Sequence, residues 1–281
     1  MALQLRDQPL LEYLARYYLL APSHIQQLCY PESTSRVTRR RCASLAADGY
    51  IHRYPKKHDD NRRPVYYLAD RGKEWLADHY DDDRYLAKPT KLLCRSEHVE
   101  HTLAVGEFLH SLQQAISRQD VVELCESFHE FEPVNPTAEA ADWIRLFTEI
   151  RPSPRLVCMP DAAFMLGRDE HRVIYYVERE TGTSGSSVVP KKKYGGYQEL
   201  DRRELFRKHF PQTTWKHFFV LVVCPTPRWR DRFVKHLVKV AGDDAQRWKA
   251  ISVEDTAPER LLFEPVVRQS NQNDLVPLIP A

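Results

Sequence analysis

Apolar positions in the first fifty residues recur at helical spacing in three successive segments. The first is QPLLEYLARYYLL, the second HIQQLCYP, and the third begins near STSRVTRRRC and ends at Gly49. The runs YIHRY and VYYLADRG then follow a strand pattern on either side of the polar, turn-rich segment PKKHDDNRRP. Three short helices followed by a hairpin is the order of a winged helix-turn-helix, and GKEWLADHYDD adds a further helix to it.

The second half of the chain mixes both periods. A long amphipathic helix in SEHVEHTLAVGEFLHSLQQAI precedes the strand patterns VVELCESF, DWIRLFTEI, MPDAAFML and RVIYYVERE. A basic helical stretch, the apolar strand HFFVLVVC, another amphipathic helix and the strand KAISVED follow. This order predicts a two-domain α/β protein with a mixed central sheet in its second domain. We predict a winged helix over 1–85, the α/β domain over 95–265 and a flexible tail over 266–281.

Composition changes this picture little, but the placement of charge matters. The chain carries 41 Lys and Arg against 39 Asp and Glu, so it is not a simple polycation, and its basic residues are clustered. We find no secretory signal and no apolar run of membrane-spanning length, so no membrane partner is expected. The six cysteines form no CxxC pair, which is typical of reduced thiols in a cytoplasmic protein and argues against a zinc site.

The basic cluster coincides with the position of a recognition helix, which enters the major groove of DNA. Val37 and Cys42 are expected to face inward. The exposed candidates on this helix are Ser35, Arg36, Thr38, Arg39 and Arg40. The hairpin adds Arg53, Lys56, Lys57, Arg62 and Arg63. A run of arginines is often only a solvated helix face, but its coincidence with a basic hairpin favours binding of double-stranded DNA.

Acidic residues at strand ends suggest a second kind of chemistry. Alternate residues of a strand share a face, so Glu178 and Glu180 point the same way, and Asp161 on an antiparallel neighbour would lie beside Glu178. Glu149 ends an earlier strand. Mg²⁺ prefers oxygen ligands, so Asp161, Glu178 and Glu149 are the predicted ligands of Mg²⁺ or Mn²⁺, if the site is active.

The order helix, strand, PD, strand, ExE, helix, strand resembles the PD-(D/E)xK nuclease fold, which is the fold of restriction endonucleases. Together with the N-terminal helices it resembles the replication-relaxation family. The segments that carry this likeness are SRVTRRRCASLAADGYIHR, PVYYLADRG, EHVEHTLAV, MPDAAFML, YVERETGT and KKKYGGY. The resemblance implies catalytic roles for Asp161, Glu178 and the residue at Glu180, where such nucleases carry a lysine that orients water. Lys191, Lys192 and Lys193 are candidates for a displaced lysine.

The leading hypothesis is therefore a DNA-binding accessory protein for replication, relaxation or mobilisation of a plasmid or other mobile element, with a nuclease-like domain that lacks efficient cleavage. One alternative is a metal-dependent DNA endonuclease that uses a displaced lysine. A second is a winged-helix transcriptional regulator. Other replication, mobilisation or transposition proteins are conceivable partners, and the sequence leaves open whether the chain forms a homodimer.

Overall fold

The protein divides into two compact units. The computed structural model describes residues 3–54, 64–88, 96–134, 144–182, 185–272 and 274–279. The first unit is Met1–Gly106 with Pro133–Glu139, and the second is Glu107–Glu132 with Ala140–Ala281. The boundary at Gly106 lies inside a long helix, whereas the sequence predicts a domain boundary between residues 85 and 95. Each unit has its own core and is described by itself.

Helices dominate the first unit. Its elements are α1 (Gln8–Tyr17), α2 (Pro22–Cys29), α3 (Ser35–Ala47), β1 (Ile51–Tyr54), β2 (Val65–Leu68), α4 (Asp70–Tyr80) and the first half of α5 (Ser96–Ser117). The two strands pair antiparallel, with Ile51 opposite Leu68. Three apolar side chains of α1 at helical spacing, Leu10, Leu11 and Leu14, are fully buried, which explains why this segment forms an amphipathic helix.

A buried ion pair connects the start of the chain to α3. Asp7 is fully buried and accepts hydrogen bonds from Nε of Arg41 at 2.8 Å and from the hydroxyl of Tyr30 at 3.0 Å. Burial alone would raise the pKa of Asp7, but the hydrogen bonds from Arg41, Gln4 and Tyr30 lower it below its usual value. Asp7 is therefore charged in the folded protein, and its charge is balanced by one arginine.

A six-stranded mixed sheet forms the centre of the second unit. The strands of this unit are β3 (Glu123–His129), β4 (Thr148–Pro152), β5 (Arg155–Cys158), β6 (Ala162–Arg168), β7 (His171–Arg179), β8 (Phe219–Cys224), β9 (Trp248–Ser252) and β10 (Arg268–Gln269). The sheet order is β10-β9-β8-β7-β6-β3. The pairs β7–β8 and β8–β9 are parallel and the others antiparallel, while β4 and β5 form a separate two-stranded sheet. The predicted mixed α/β fold is confirmed.

Helices cover one face of this sheet. They are α6 (Val188–Arg202), α7 (Phe206–His209) and α8 (Pro227–Ala241). Leu200 of α6 and Phe233 of α8 belong to one buried cluster with Tyr176 and Val222 of the sheet. Every helix in the described ranges is too short or too polar to cross a membrane.

The segment predicted to be a flexible tail, 266–281, makes regular contacts through its described residues, 266–272 and 274–279. This segment carries β10, which pairs with β9, and its residues Val267 and Val276 form a further β-bridge. Leu278 is fully buried, and its carbonyl accepts a hydrogen bond from Nζ of Lys249 at 2.9 Å. The segment lacks a regular period because it is held by scattered apolar side chains rather than by one amphipathic face.

Candidate functional site

Asp161 lies directly before β6, at the edge where β7 ends. Its amide donates to the carbonyl of Val177 at 3.1 Å, and its Oδ2 accepts the amide of Arg179 at 2.6 Å. Asp161 is thus fixed to β7 on either side of Glu178 by two hydrogen bonds, one through its backbone amide and one through its carboxylate. The sequence prediction that Asp161 lies next to Glu178 on antiparallel strands agrees with this register, in which Ala162 is opposite Val177.

Glu178 is buried beneath α6. It is only 2% exposed, and its two carboxylate oxygens accept hydrogen bonds from two side chains one helical turn apart on α6. The hydroxyl of Tyr197 donates to Oε1 at 2.6 Å, and Nζ of Lys193 donates to Oε2 at 2.5 Å. Burial raises the pKa of Glu178 to about 7, although both of these groups act to lower it.

Of the three lysines predicted as candidates for a displaced lysine, Lys193 contacts both Glu178 and Asp161. Its Nζ lies 3.6 Å from Oδ1 of Asp161 in addition to its contact with Glu178. Burial alone would lower the pKa of Lys193, but the carboxylates of Glu178, Asp161 and Glu130 outweigh burial and raise it. Lys193 is therefore a cation, and its side chain is 34% exposed, so the site opens to solvent beside it.

Glu130 is a third carboxylate that the sequence analysis missed. It follows β3, and because His129 pairs with Ala162, the register places Glu130 next to Asp161. Carboxylate oxygens of these two residues lie within 4.8 Å of each other. We call Asp161, Glu178, Glu130 and Lys193 the carboxylate cluster. The pairing of β3 with β6 is the signal that would have found Glu130, and one sequence does not reveal strand pairing.

The donor set of the cluster fits Mg²⁺ or Mn²⁺. Three carboxylates supply hard oxygen ligands, and one lysine leaves negative charge in excess, which a divalent cation would neutralise. Asp161 and Glu130 are the residues best placed to hold such an ion, because both oxygens of Glu178 already accept hydrogen bonds.

Comparison with known proteins gives one result. A family model described as replication-relaxation matches residues 11–213, which is more than half of the 281-residue chain. The chain belongs to the replication-relaxation family. No curated protein and no solved structure matches it. Family membership connects the chain with replication and relaxation, and the carboxylate cluster lies within the matched region.

The other predicted site residues of this replication-relaxation protein make different contacts or are exposed. Glu149, a predicted metal ligand, is on the separate β4–β5 sheet, where its Oε2 lies 3.6 Å from Nε of Arg155, and its role as a ligand stays a prediction. Lys191 and Lys192 are exposed. Glu180 directly follows β7, and its amide donates to the carbonyl of Val223 at 3.0 Å.

The predicted DNA-binding surface of α3 is largely exposed, with one correction. Ser35, Arg36, Arg39 and Arg40 are exposed, and so is Arg53 on β1. Thr38 is buried, whereas Val37 is 38% exposed, so the expected inward and outward positions are exchanged. The buried positions of α3 are Thr38, Arg41, Cys42 and Leu45. Thr38 and Arg41 lie on the buried face of α3, and Arg41 is buried there because it pairs with Asp7. The polarity of the side chains alone does not predict this orientation of the helix.

The hairpin tip carries the remaining predicted contacts of the replication-relaxation protein with DNA. Lys56, Lys57, Arg62 and Arg63 lie outside the described residues, between β1 and β2. Their role stays a prediction.

Proposed function

We propose that this replication-relaxation protein binds double-stranded DNA and cleaves one of its strands during replication, relaxation or mobilisation of a plasmid or other mobile element. The observation that carries the proposal is the position of Lys193 against Glu178 and Asp161. A lysine next to two carboxylates at adjacent strand ends is the charge arrangement of a PD-(D/E)xK nuclease site. Here the lysine comes from α6 instead of from β7.

Each member of the carboxylate cluster has a role in this proposal. Mg²⁺ or Mn²⁺, when bound, would activate water and neutralise charge on the scissile phosphate. Asp161 and Glu130 hold the ion. Lys193 orients the attacking water and stabilises the negative charge that develops on the phosphate oxygens. Glu178 positions Lys193, and Tyr197 fixes the carboxylate of Glu178.

The first unit supplies affinity for the duplex. In the proposed winged helix, Arg36, Arg39 and Arg40 line the exposed side of α3, and Arg53 extends the positive surface onto β1. Arginine can bind phosphate oxygens and guanine edges with the same planar group, so this surface suits either backbone contacts or base reading.

A second candidate is an accessory protein that binds DNA without cleaving it. The burial of Glu178 favours this function, since both of its oxygens accept hydrogen bonds and little of the side chain is open to solvent. In that case Lys193 would occupy the position of a metal ion and only stabilise the fold.

Incubation with supercoiled plasmid in Mg²⁺ and then in Mn²⁺ separates the two candidates. We expect nicked circles with the native chain and none with Asp161→Ala. The matched control is Asp243→Ala, at an exposed acid of the same unit, which should cleave normally. A plasmid that is shifted in a gel but stays intact with both metals would establish binding without cleavage.

A further inference from the structure

Val37 is an exposed apolar side chain on the basic side of α3. It is 38% exposed, whereas the buried positions of the helix are Thr38, Arg41, Cys42 and Leu45, so Val37 does not belong to the packed face. A single apolar residue on a protein surface needs no special explanation. What distinguishes Val37 is the set of groups that surround it.

Contacts on the buried side of α3 fix the orientation of the helix. Nε of Arg41 donates to Asp7 at 2.8 Å, and the hydroxyl of Tyr30 donates to the same carboxylate at 3.0 Å. At the start of the helix, the side chain of Thr34 accepts the backbone amide of Val37 at 3.4 Å. A rotation of α3 that buried Val37 would break the ion pair, so the side chain is held towards solvent.

Two arginines flank Val37 on the exposed side of α3. Arg36 precedes it and Arg40 follows three residues later, and both are exposed. Neither forms a hydrogen bond or an ion pair with any residue that the structure describes. Arg39 differs, because its Nε donates to the carbonyl of Ser35 at 3.1 Å and its side chain therefore lies back along the helix. The start of α3 thus combines one apolar group with two guanidinium groups that are available to a ligand.

Small side chains continue this exposed face. Ala43 and Ala47 are exposed, and they follow Arg36 and Arg40 at intervals of three and four residues, which places all four on one side of the helix. Side chains of this size let the backbone of a helix come close to a surface. The face is therefore shaped for close approach to a ligand as well as charged for an anion.

The major groove of DNA has the chemistry that this face requires. Guanine presents two acceptors there, which the planar fork of an arginine can bind, and thymine presents a methyl group at C5. Phosphate and sugar contacts carry no sequence information directly. A binding surface for the backbone alone would gain nothing from a valine, whereas a surface that reads base edges gains an apolar contact with thymine.

We propose that Val37 determines specificity for thymine, with its side chain against the C5 methyl group in the major groove while Arg36 and Arg40 bind guanine or phosphate nearby. The inference rests on the proposed function, because it requires α3 to enter the groove of a duplex. It adds that binding depends on sequence, and it names the apolar contact that distinguishes one base.

The test compares two duplexes that differ only in methyl groups. A fluorescein-labelled fragment of mixed sequence is synthesised once with thymidine and once with deoxyuridine, and fluorescence anisotropy measures its affinity for the native chain and for variants. We expect the native chain to bind the thymidine duplex about fourfold more tightly, the factor that burial of one methyl group gives. Val37→Ser should bind the two duplexes equally, and serine has a helix propensity close to that of valine.

Two further variants serve as controls. Val37→Ile keeps a branched apolar side chain and should keep most of the preference. Leu86→Ala removes another exposed apolar side chain of the first unit, 46% exposed, and should discriminate like the native chain. An equal preference for thymidine in the native chain and in Val37→Ser would overturn the inference and leave duplex binding in place. A native chain that binds neither duplex would overturn the proposed DNA binding, and the inference with it.

Discussion

The two units each contain a buried group of charges, and these groups are built in opposite ways. In the first unit, one aspartate, Asp7, meets one arginine, Arg41, and both are almost inaccessible to solvent. In the second unit, three carboxylates surround one lysine, Lys193, whose side chain is 34% exposed. The first group is neutral and closed, while the second has an excess of negative charge and opens to solvent.

This difference separates a structural role from a chemical one. A buried, matched pair leaves nothing for a ligand to neutralise, and its removal exposes an uncompensated charge to the interior. An unmatched group of carboxylates is destabilising by itself and is stabilised by any cation that enters. The candidate site is therefore recognised by its excess of negative charge together with its exposure to solvent, and burial alone would not identify it.

The largest expected effect is a loss of stability when the ion pair between Asp7 and Arg41 is broken. Asp7→Ala should lower the free energy of unfolding by about 3–5 kcal/mol, because it leaves the guanidinium of Arg41 buried without its counter-ion. Urea unfolding followed by circular dichroism measures this. The double variant Asp7→Leu with Arg41→Met should recover most of the loss. Glu74→Ala, at an exposed site, is the control. If Asp7→Ala were as stable as this control, the ion pair would contribute nothing to the free energy of unfolding.

Substitutions in the carboxylate cluster should change the rate of cleavage instead of stability. Lys193→Met is expected to slow metal-dependent plasmid nicking by about 10²–10³-fold, since it removes the charge that stabilises the transition state. Lys192→Met, at the exposed neighbouring position, is the control and should nick normally. Single-turnover assays with matched DNA binding distinguish lost chemistry from lost affinity. Unchanged nicking by Lys193→Met would assign the lysine a purely structural role.

Titration of Glu178 should appear in the pH profile of cleavage. Burial raises its pKa to about 7, so the carboxylate that positions Lys193 is charged only above that value. Nicking should rise as the pH increases through about 7 and then level off. Tyr197→Phe removes a hydrogen bond that lowers this pKa, so the midpoint should move to higher pH. A profile with the same midpoint in both proteins would exclude Glu178 as the titrating group.

Two adjacent arginines of α3 differ in burial and should therefore differ in the property that their substitution changes. Arg40 is exposed and Arg41 is buried. Arg40→Ala should weaken duplex binding several-fold and reduce its salt slope by about 1, while stability stays within about 0.5 kcal/mol. Arg41→Ala should instead destabilise the fold. Gel-shift titrations at several salt concentrations measure binding, and urea unfolding curves measure stability. Equal losses of binding and of stability in the two variants would contradict the separate roles of Arg40 and Arg41.

Glu149 should give the smallest effect. Its ion pair with Arg155 is exposed, so Glu149→Gln should change stability by less than about 1 kcal/mol and leave nicking unchanged. Loss of metal-dependent nicking in this variant would show that Glu149 serves the cluster after all.

The sequence predicts those features that depend on local pattern. Helical and alternating periods identify the mixed α/β fold, and the strand-end positions of Asp161 and Glu178 follow from alternation. Pairings between distant segments decide the rest. Glu130 joins the cluster through the register of β3 with β6, and Arg41 is buried because Asp7 lies 34 residues away in the chain. Neither contact has a local signature.

The position of the unit boundary inside α5 has a practical consequence for dissecting this protein. Val99 of α5 is fully buried with Leu19 and Val65 in a core of the first unit. A fragment that stops at the charged stretch near residue 88 would lack this side chain and leave an apolar gap. A fragment of the first unit that is meant to fold by itself should therefore extend to Gly106, because a shorter one would lack the part of α5 that completes this core.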